Sequence, residues 1–176
     1  NNDDFLDEFR QKLNNEPEES FEERKNEIVK HIKLELVDND NYKTGIASFA
    51  VSENGLIAVA IENDRIYVYD SNGVFQYGYY FNGDGAYGVV FAGENVAIYF
   101  VRGDFFAIYD SSGDCVAIKE LTAPDYERIS RFLHRTTIQR SDKTCTLERD
   151  LEFSGTYSRL VITSLFTFLQ LPRQRI

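Results

Sequence analysis

The feature that most restricts the fold of this chain is a repeat: from Gly45 onward the sequence restates its own pattern forty residues later. The clearest restatement sets Ile66-Tyr67-Val68-Tyr69-Asp70-Ser71-Asn72-Gly73 against Phe106-Ala107-Ile108-Tyr109-Asp110-Ser111-Ser112-Gly113. Gly45 pairs with Gly85, Phe49 with Val89, Asn54 with Glu94, and Leu56 to Val59 with Val96 to Tyr99, at one offset and without a gap. Within each unit apolar side chains alternate with polar or small ones, the two-residue period of a strand with two unlike faces. Clusters of Gly, Asn, Asp and Ser interrupt that alternation at short intervals, as turns require. The predicted strands run over about 46–51, 56–61, 66–70 and 74–80, then over 86–91, 96–101, 105–110 and 115–119. Four short strands in forty residues is the spacing of a β-propeller blade.

Extending the offset places a third, degenerate unit in residues 123–176, with a capping hairpin as the alternative. Thr136 to Arg140 falls opposite 96–100, Thr146 to Glu148 opposite 106–108, and Tyr157 to Ile162 near the fourth-strand slot. The first-strand slot, Asp125 to Leu133, reads instead as a helical turn after Pro124. Ahead of the repeats, residues 1–44 read as a helical segment. Phe5, Leu6, Phe9 and Leu13 recur at helical spacing over 3–13, and Ile28, Val29, Ile32 and Leu36 form an apolar stripe on a helix over about 20–33. Ser20 followed by Glu23 is a candidate capping box for that second helix. Its end is ambiguous, because Ile32, Leu34 and Leu36 also alternate as a strand would. The expected fold is therefore mainly β: tandem four-stranded antiparallel propeller-type blades behind an N-terminal helical segment. Phe and Tyr supply an aromatic content of 14% in a chain of 176 residues, which fits that class.

The segment from Ala58 to Gly73, with Asn63-Asp64-Arg65-Ile66-Tyr67-Val68-Tyr69-Asp70-Ser71-Asn72-Gly73 at its end, resembles the second half of an NHL-type propeller repeat. Tyr87-Gly88-Val89-Val90-Phe91 is similar to the inner strand of the same repeats. The resemblance, which WD-like propellers share in outline, covers about eighty residues. It implies blades arranged around an axis and a binding surface formed by inter-strand loops.

Asp70 and Asp110 end their strands before Ser-Asn-Gly and Ser-Ser-Gly, which is turn chemistry rather than a calcium loop. Gly83-Asp84-Gly85-Ala86-Tyr87-Gly88 spells GxGxxG but joins two strands instead of opening a helix, so a dinucleotide is not expected. His31 and His134 lack metal-ligand spacing, and Cys115 and Cys145 lack a CxxC pattern. No catalytic residue, metal or cofactor is assigned. The two cysteines fall in strands of different units and are expected to remain unpaired. Tyr77, Tyr79, Tyr80, Phe81 and Tyr87 crowd the junction of the two units, either as an aromatic binding platform or as packing between neighbouring blades.

In an antiparallel unit of four strands, the second-to-third turn and the link to the next unit share one end. Glu62-Asn63-Asp64-Arg65, the link from Asn82 to Tyr87, and Arg102-Gly103-Asp104 should therefore form one rim. The candidate ligand-binding residues are Asp64, Arg65, Tyr80, Asp84, Tyr87, Arg102 and Asp104. The net charge of −10 disfavours nucleic acid, which needs clustered cations. Charge is also uneven: residues 44–122 hold 10 acids and 3 bases, while residues 123–176 hold 6 and 9. The longest apolar run, Leu160 to Leu171, is broken by Thr163, Ser164, Thr167 and Gln170 and falls short of the about twenty residues of a membrane span. Methionine is absent, so a processed or excised piece of a longer product is expected. The leading expectation is a non-enzymatic binding or interaction module, part of a larger surface or secreted protein or assembly, with a protein partner or self-association. An enzyme with a site dispersed over the rim and a purely structural assembly domain are the alternatives. Because two or three blades cannot close a ring, a face containing some of Phe75, Tyr77, Tyr79, Phe132 and Leu160 is expected to remain open for association.

Overall fold

The computed structural model describes residues 18–32, 34–41, 45–83, 86–100, 105–120, 137–140, 143–150, 157–164 and 168–170. Among the described residues, one helix, α1 (Glu18–His31), precedes thirteen strands: β1 (Leu34–Val37), β2 (Ile46–Val51), β3 (Ile57–Ile61), β4 (Arg65–Tyr69), β5 (Phe75–Phe81), β6 (Tyr87–Ala92), β7 (Asn95–Phe100), β8 (Phe105–Tyr109), β9 (Cys115–Glu120), β10 (Thr137–Arg140), β11 (Lys143–Asp150), β12 (Tyr157–Ser164) and β13 (Phe168–Gln170). They form three antiparallel sheets, in the orders β1-β5-β4-β3-β2, β6-β7-β8-β9 and β10-β11-β12-β13. The chain is mainly β, as the alternation predicts, and each sheet is built from strands consecutive in sequence except for β1.

The repeat has a common local cause. At the end of β4 the Asp70 carboxylate accepts from the N–H groups of Asn72 and Val74 at 2.8 and 3.0 Å, and Gly73 turns the chain at φ 79°. At the end of β8 the Asp110 carboxylate accepts from Ser112 and Asp114 at 2.9 and 3.0 Å, with Gly113 at φ 84°. Both turns also close through the same backbone bonds, with Asp70 N–H donating to Val74 O and Asp110 N–H donating to Asp114 O. The register irregularity between Val68 and Tyr69 recurs between Ile108 and Tyr109. The two aspartates thus serve the turns.

The sequence offset is not uniform in space. Val59 lies opposite Phe49 and Tyr67, and Ile98 lies opposite Val89 and Ala107, so the counterpart of Val59 is Ile98 rather than Tyr99. Through the turn around Gly93, the path from Val89 to its partner Ile98 is one residue shorter than the path from Phe49 to Val59. On that longer path Ser52 binds Leu56 through both its backbone and its hydroxyl. The link from β7 to β8 is correspondingly longer, so β8 returns to the forty-residue offset.

Further departures from the predicted pattern concern the N-terminal segment and the third unit. The first sheet has five strands, because β1 adds to the outer edge of β5 with Leu34 opposite Phe81 and Val37 opposite Gly78. An unpaired edge leaves a row of backbone donors and acceptors without partners, and the alternation of Leu34 and Leu36 supplies a strand to cover it. Helix α1 begins ahead of Ser20, which therefore lies in the first turn and is not its cap. Ile28 and Ile32 pack on the core, but Val29 and Leu36 are exposed, so only half of the expected stripe is buried. The expected helix over 3–13, with Phe5 and Phe9, lies outside the described residues. In the third unit, β10, β11 and β12 occur near the slots given by the offset, and β13 is a strand that the repeat does not place. The first-strand slot, Asp125 to Leu133, lies outside the described residues.

The first sheet is buried on both faces. Ala50, Ala58, Ala60, Ile66, Val68, Tyr79 and Phe81 face Val89, Phe91, Val96, Ile98, Ala107, Tyr109 and Ile118 of the second sheet. The opposite face, with Phe49, Val59, Ile61, Tyr67 and Tyr69, packs with Cys145 of the third. Cys115 belongs to the former cluster and Cys145 to the latter, so the first sheet separates them and no disulfide joins them. Val90, Ala97, Tyr99, Phe106 and Ile108, on the far face of the second sheet, are buried as well. Neither face of the two repeat sheets is left wet, and Tyr79, expected on an open face, is fully buried inside the chain. Phe75 and Tyr77 are half-buried against opposite clusters, Phe132 lies outside the described residues, and so does the side chain of Leu160.

Candidate functional site

Four of the seven candidate residues, Asp64, Arg65, Tyr80 and Tyr87, come together at the end of the first sheet where the β3–β4 turn meets the link to β6. Asp84, Arg102 and Asp104 lie outside the described residues. The turn is tight: Asp64 takes φ 55°, a left-handed conformation that Asp tolerates better than most side chains. Its carbonyl accepts from Phe81 N–H at 3.0 Å, which ties the turn to the end of β5.

Tyr87 locks that corner from the neighbouring sheet. Its hydroxyl accepts from Arg65 N–H at 3.1 Å and lies within donating reach of Arg65 O, at 3.1 Å, and of Ile61 O. Its ring meets Phe81 edge-on with centroids 4.8 Å apart. Burial raises the Tyr87 pKa above the ordinary phenol value of 10.0, only partly countered by the backbone bonds. The hydroxyl is thus taken up by the chain, and Tyr87 shapes the rim instead of presenting a polar tip to solvent.

Arg65 and Tyr80 do face outward together. They are register partners on β4 and β5, and the guanidinium carbon sits 5.2 Å from the Tyr80 ring centroid. A cation over an aromatic face is worth about 0.5–1 kcal/mol at an exposed position and holds the guanidinium in a fixed plane. On the other side of Tyr80 the register partner is Glu35 of β1. A row of carboxylate, phenol and guanidinium therefore crosses three neighbouring strands on one face. Glu35 has no signal in the repeat, because β1 lies outside it and its pairing with β5 is a long-range event. Arg65 and Tyr80 are both half-buried and are held by the sheet as register partners.

The rest of the aromatic crowd is packing between the two sheets. Tyr77 and Tyr79 meet edge-on at 5.5 Å, Tyr79 leans on Tyr109 at 6.2 Å, and the Tyr79 hydroxyl donates to Asp110 O. Phe81 also meets Phe100 at 5.6 Å. Two polar bonds pin the units further: Ser48 Oγ accepts from Val89 N–H at 3.1 Å, and Asn54 donates to Glu94 across the two equivalent turns at 2.8 Å.

Among the described residues, no three metal-ligating side chains form a group. Among the same residues, no helix is long and apolar enough to cross a membrane. No protein-family profile matches the chain, and no curated protein matches it significantly.

Proposed function

We propose that the chain is a non-enzymatic interaction module built from propeller-type repeats, part of a larger surface or secreted protein or assembly, which docks a protein partner at the Glu35–Tyr80–Arg65 row. The observation that carries this reading is the row itself. It sets an amphipathic ring between a cation and an anion, on rigid strands, beside the acidic turn of Glu62 and Asp64. Tyr and Arg are the residue types that anchor protein interfaces. The identical Asp70 and Asp110 turns and the consecutive antiparallel strands support the blade reading. Charge favours another copy of the chain as partner: the acidic central repeats would meet the basic C-terminal third of a neighbour.

Sedimentation velocity over a concentration series, at low and high salt, tests the proposal. The wild-type chain should associate in a salt-sensitive way, and Tyr80→Ala and Arg65→Ala should shift the association to higher concentration with folding unchanged by circular dichroism. A single monomeric species at every concentration, or variants that associate like the parent, would overturn it.

A further inference from the structure

A second region, away from the rim, has the features of a ligand site. Helix α1 does not lie flush on the second sheet; between it and the β8–β9 turn runs a groove of about 630 Å³. That volume falls in the range of small-molecule sites, roughly 300–1,000 Å³. Val29 and Ile32 of α1, Leu34 of β1 and Val116 of β9 supply apolar walls, and Tyr109 contributes to the inner wall. Val29 and Val116 are 48% and 43% exposed, and Leu36, 55% exposed, stands beside Gly113 of the same turn. Two of the four most exposed large apolar side chains among the described residues therefore line one concavity, with the third, Leu36, beside its turn.

The independent observation is at Tyr109. The residue is 2% exposed, yet its hydroxyl, sealed from solvent, has no hydrogen-bond partner among the described residues. Its repeat counterpart, Tyr69, is satisfied differently, with its hydroxyl donating to Asp40 at 3.3 Å. A buried hydroxyl without a partner costs about 1–3 kcal/mol, so a ligand group that supplied one would gain that hydrogen bond. Burial, with a smaller contribution from Cys115, raises its pKa, so it remains a neutral donor and acceptor at physiological pH.

We propose that this groove binds a small amphipathic molecule whose neutral hydrogen-bonding head, an alcohol, phenol or amide, reaches the Tyr109 hydroxyl while its apolar body lies against Val29, Ile32 and Val116. The head is neutral because an ion at that depth would lose its hydration without a paired charge. Lys25, Asp110 and Asp114 also line the groove, and the Asp110 carboxylate is taken up by its own turn. Because the hydroxyl is sealed from solvent, its engagement requires lining side chains to move.

The test is a titration of the full chain followed by heteronuclear NMR, with phenol as the probe and toluene as the headless control. Phenol should give saturable shifts at Val29, Ile32 and Val116 and bind more tightly than toluene. Tyr109→Phe should weaken phenol about tenfold, the value of one hydrogen bond of about 1.4 kcal/mol, and leave toluene unchanged. The same variant should be at least as stable as the parent, because the hydroxyl it loses has no partner among the described residues. Three results would each overturn the proposal: no saturable shift with phenol, equal phenol binding by Tyr109→Phe, or a clear loss of stability in that variant. The last would mean that a buried water or the chain itself satisfies the hydroxyl.

Discussion

Replacing Tyr87 by Phe isolates the contact that holds the rim in place. The substitution keeps the ring, and with it the edge-on contact to Phe81 at 4.8 Å, and removes only the hydroxyl. That hydroxyl serves Arg65 N–H, Arg65 O and Ile61 O at the end of the β3–β4 hairpin. A net hydrogen bond contributes about 0.5–1.5 kcal/mol, and a part-buried N–H left without a partner adds to the loss, so the cost is about 1–3 kcal/mol. For a chain of 176 residues, each kcal/mol lowers Tm by roughly 2–4 °C. Chemical denaturation gives the global change, and amide hydrogen exchange shows where it originates. The Arg65 amide should exchange faster by more than the global loss explains, while the Ile108 amide, inside the second sheet, should follow global stability alone. An unchanged midpoint together with unchanged exchange at Arg65 would refute the reasoning, because Tyr87 would then be an ordinary surface phenol.

Gly78→Ala should be strongly destabilising, by several kcal/mol, because a Cβ there would lie 2.7 Å from Val37 Cγ2 and 2.8 Å from Ile66 O. Loss of amide protection over β1 before the rest of the first sheet is the expected signature, and a near-neutral denaturation midpoint would contradict the β1–β5 register. Asp70→Ala and Asp110→Ala should cost similar amounts, about 1–2 kcal/mol each, since each removes two N–H bonds from the same turn. A large inequality in their urea midpoints would mean that one aspartate does more than close its turn. Stability should fall as pH rises above about 10, because burial raises the pKa of Tyr79, Tyr87 and Tyr109 in the folded chain. The sign follows from the unfolded chain, whose phenols ionise first: the stabilisation is complete below pH 10 and is lost above it. Urea midpoints across this range should flatten in Tyr87→Phe, and a midpoint independent of pH would contradict the burial.

What could be read from the sequence is what neighbouring residues decide among themselves. Asp70-Ser71-Asn72-Gly73 and Asp110-Ser111-Ser112-Gly113 specify their turns, because the carboxylate reaches N–H groups two and four residues ahead and glycine takes the positive φ. The alternation around those turns set the strands of both units to within a residue or two, and the same antiparallel logic put Asp64, Arg65, Tyr80 and Tyr87 at one end. The tertiary structure decided whatever needed a partner distant in the chain. Leu34 to Val37 fits a helix end or a strand by its own pattern, and only the unpaired edge of β5 makes it a strand, which brings Glu35 beside Tyr80. The slip of β7 by one residue depends on how a tight turn at Gly93 feeds a strand that must present Val96 and Ile98 to the first sheet. Tyr87 reads as an exposed rim aromatic until the packing of β6 against β2 and β3 turns its hydroxyl into the corner. The groove over Tyr109 exists because α1 crosses β9, and the position of a helix on a sheet follows from the summed burial of both surfaces, which no local stretch of sequence contains.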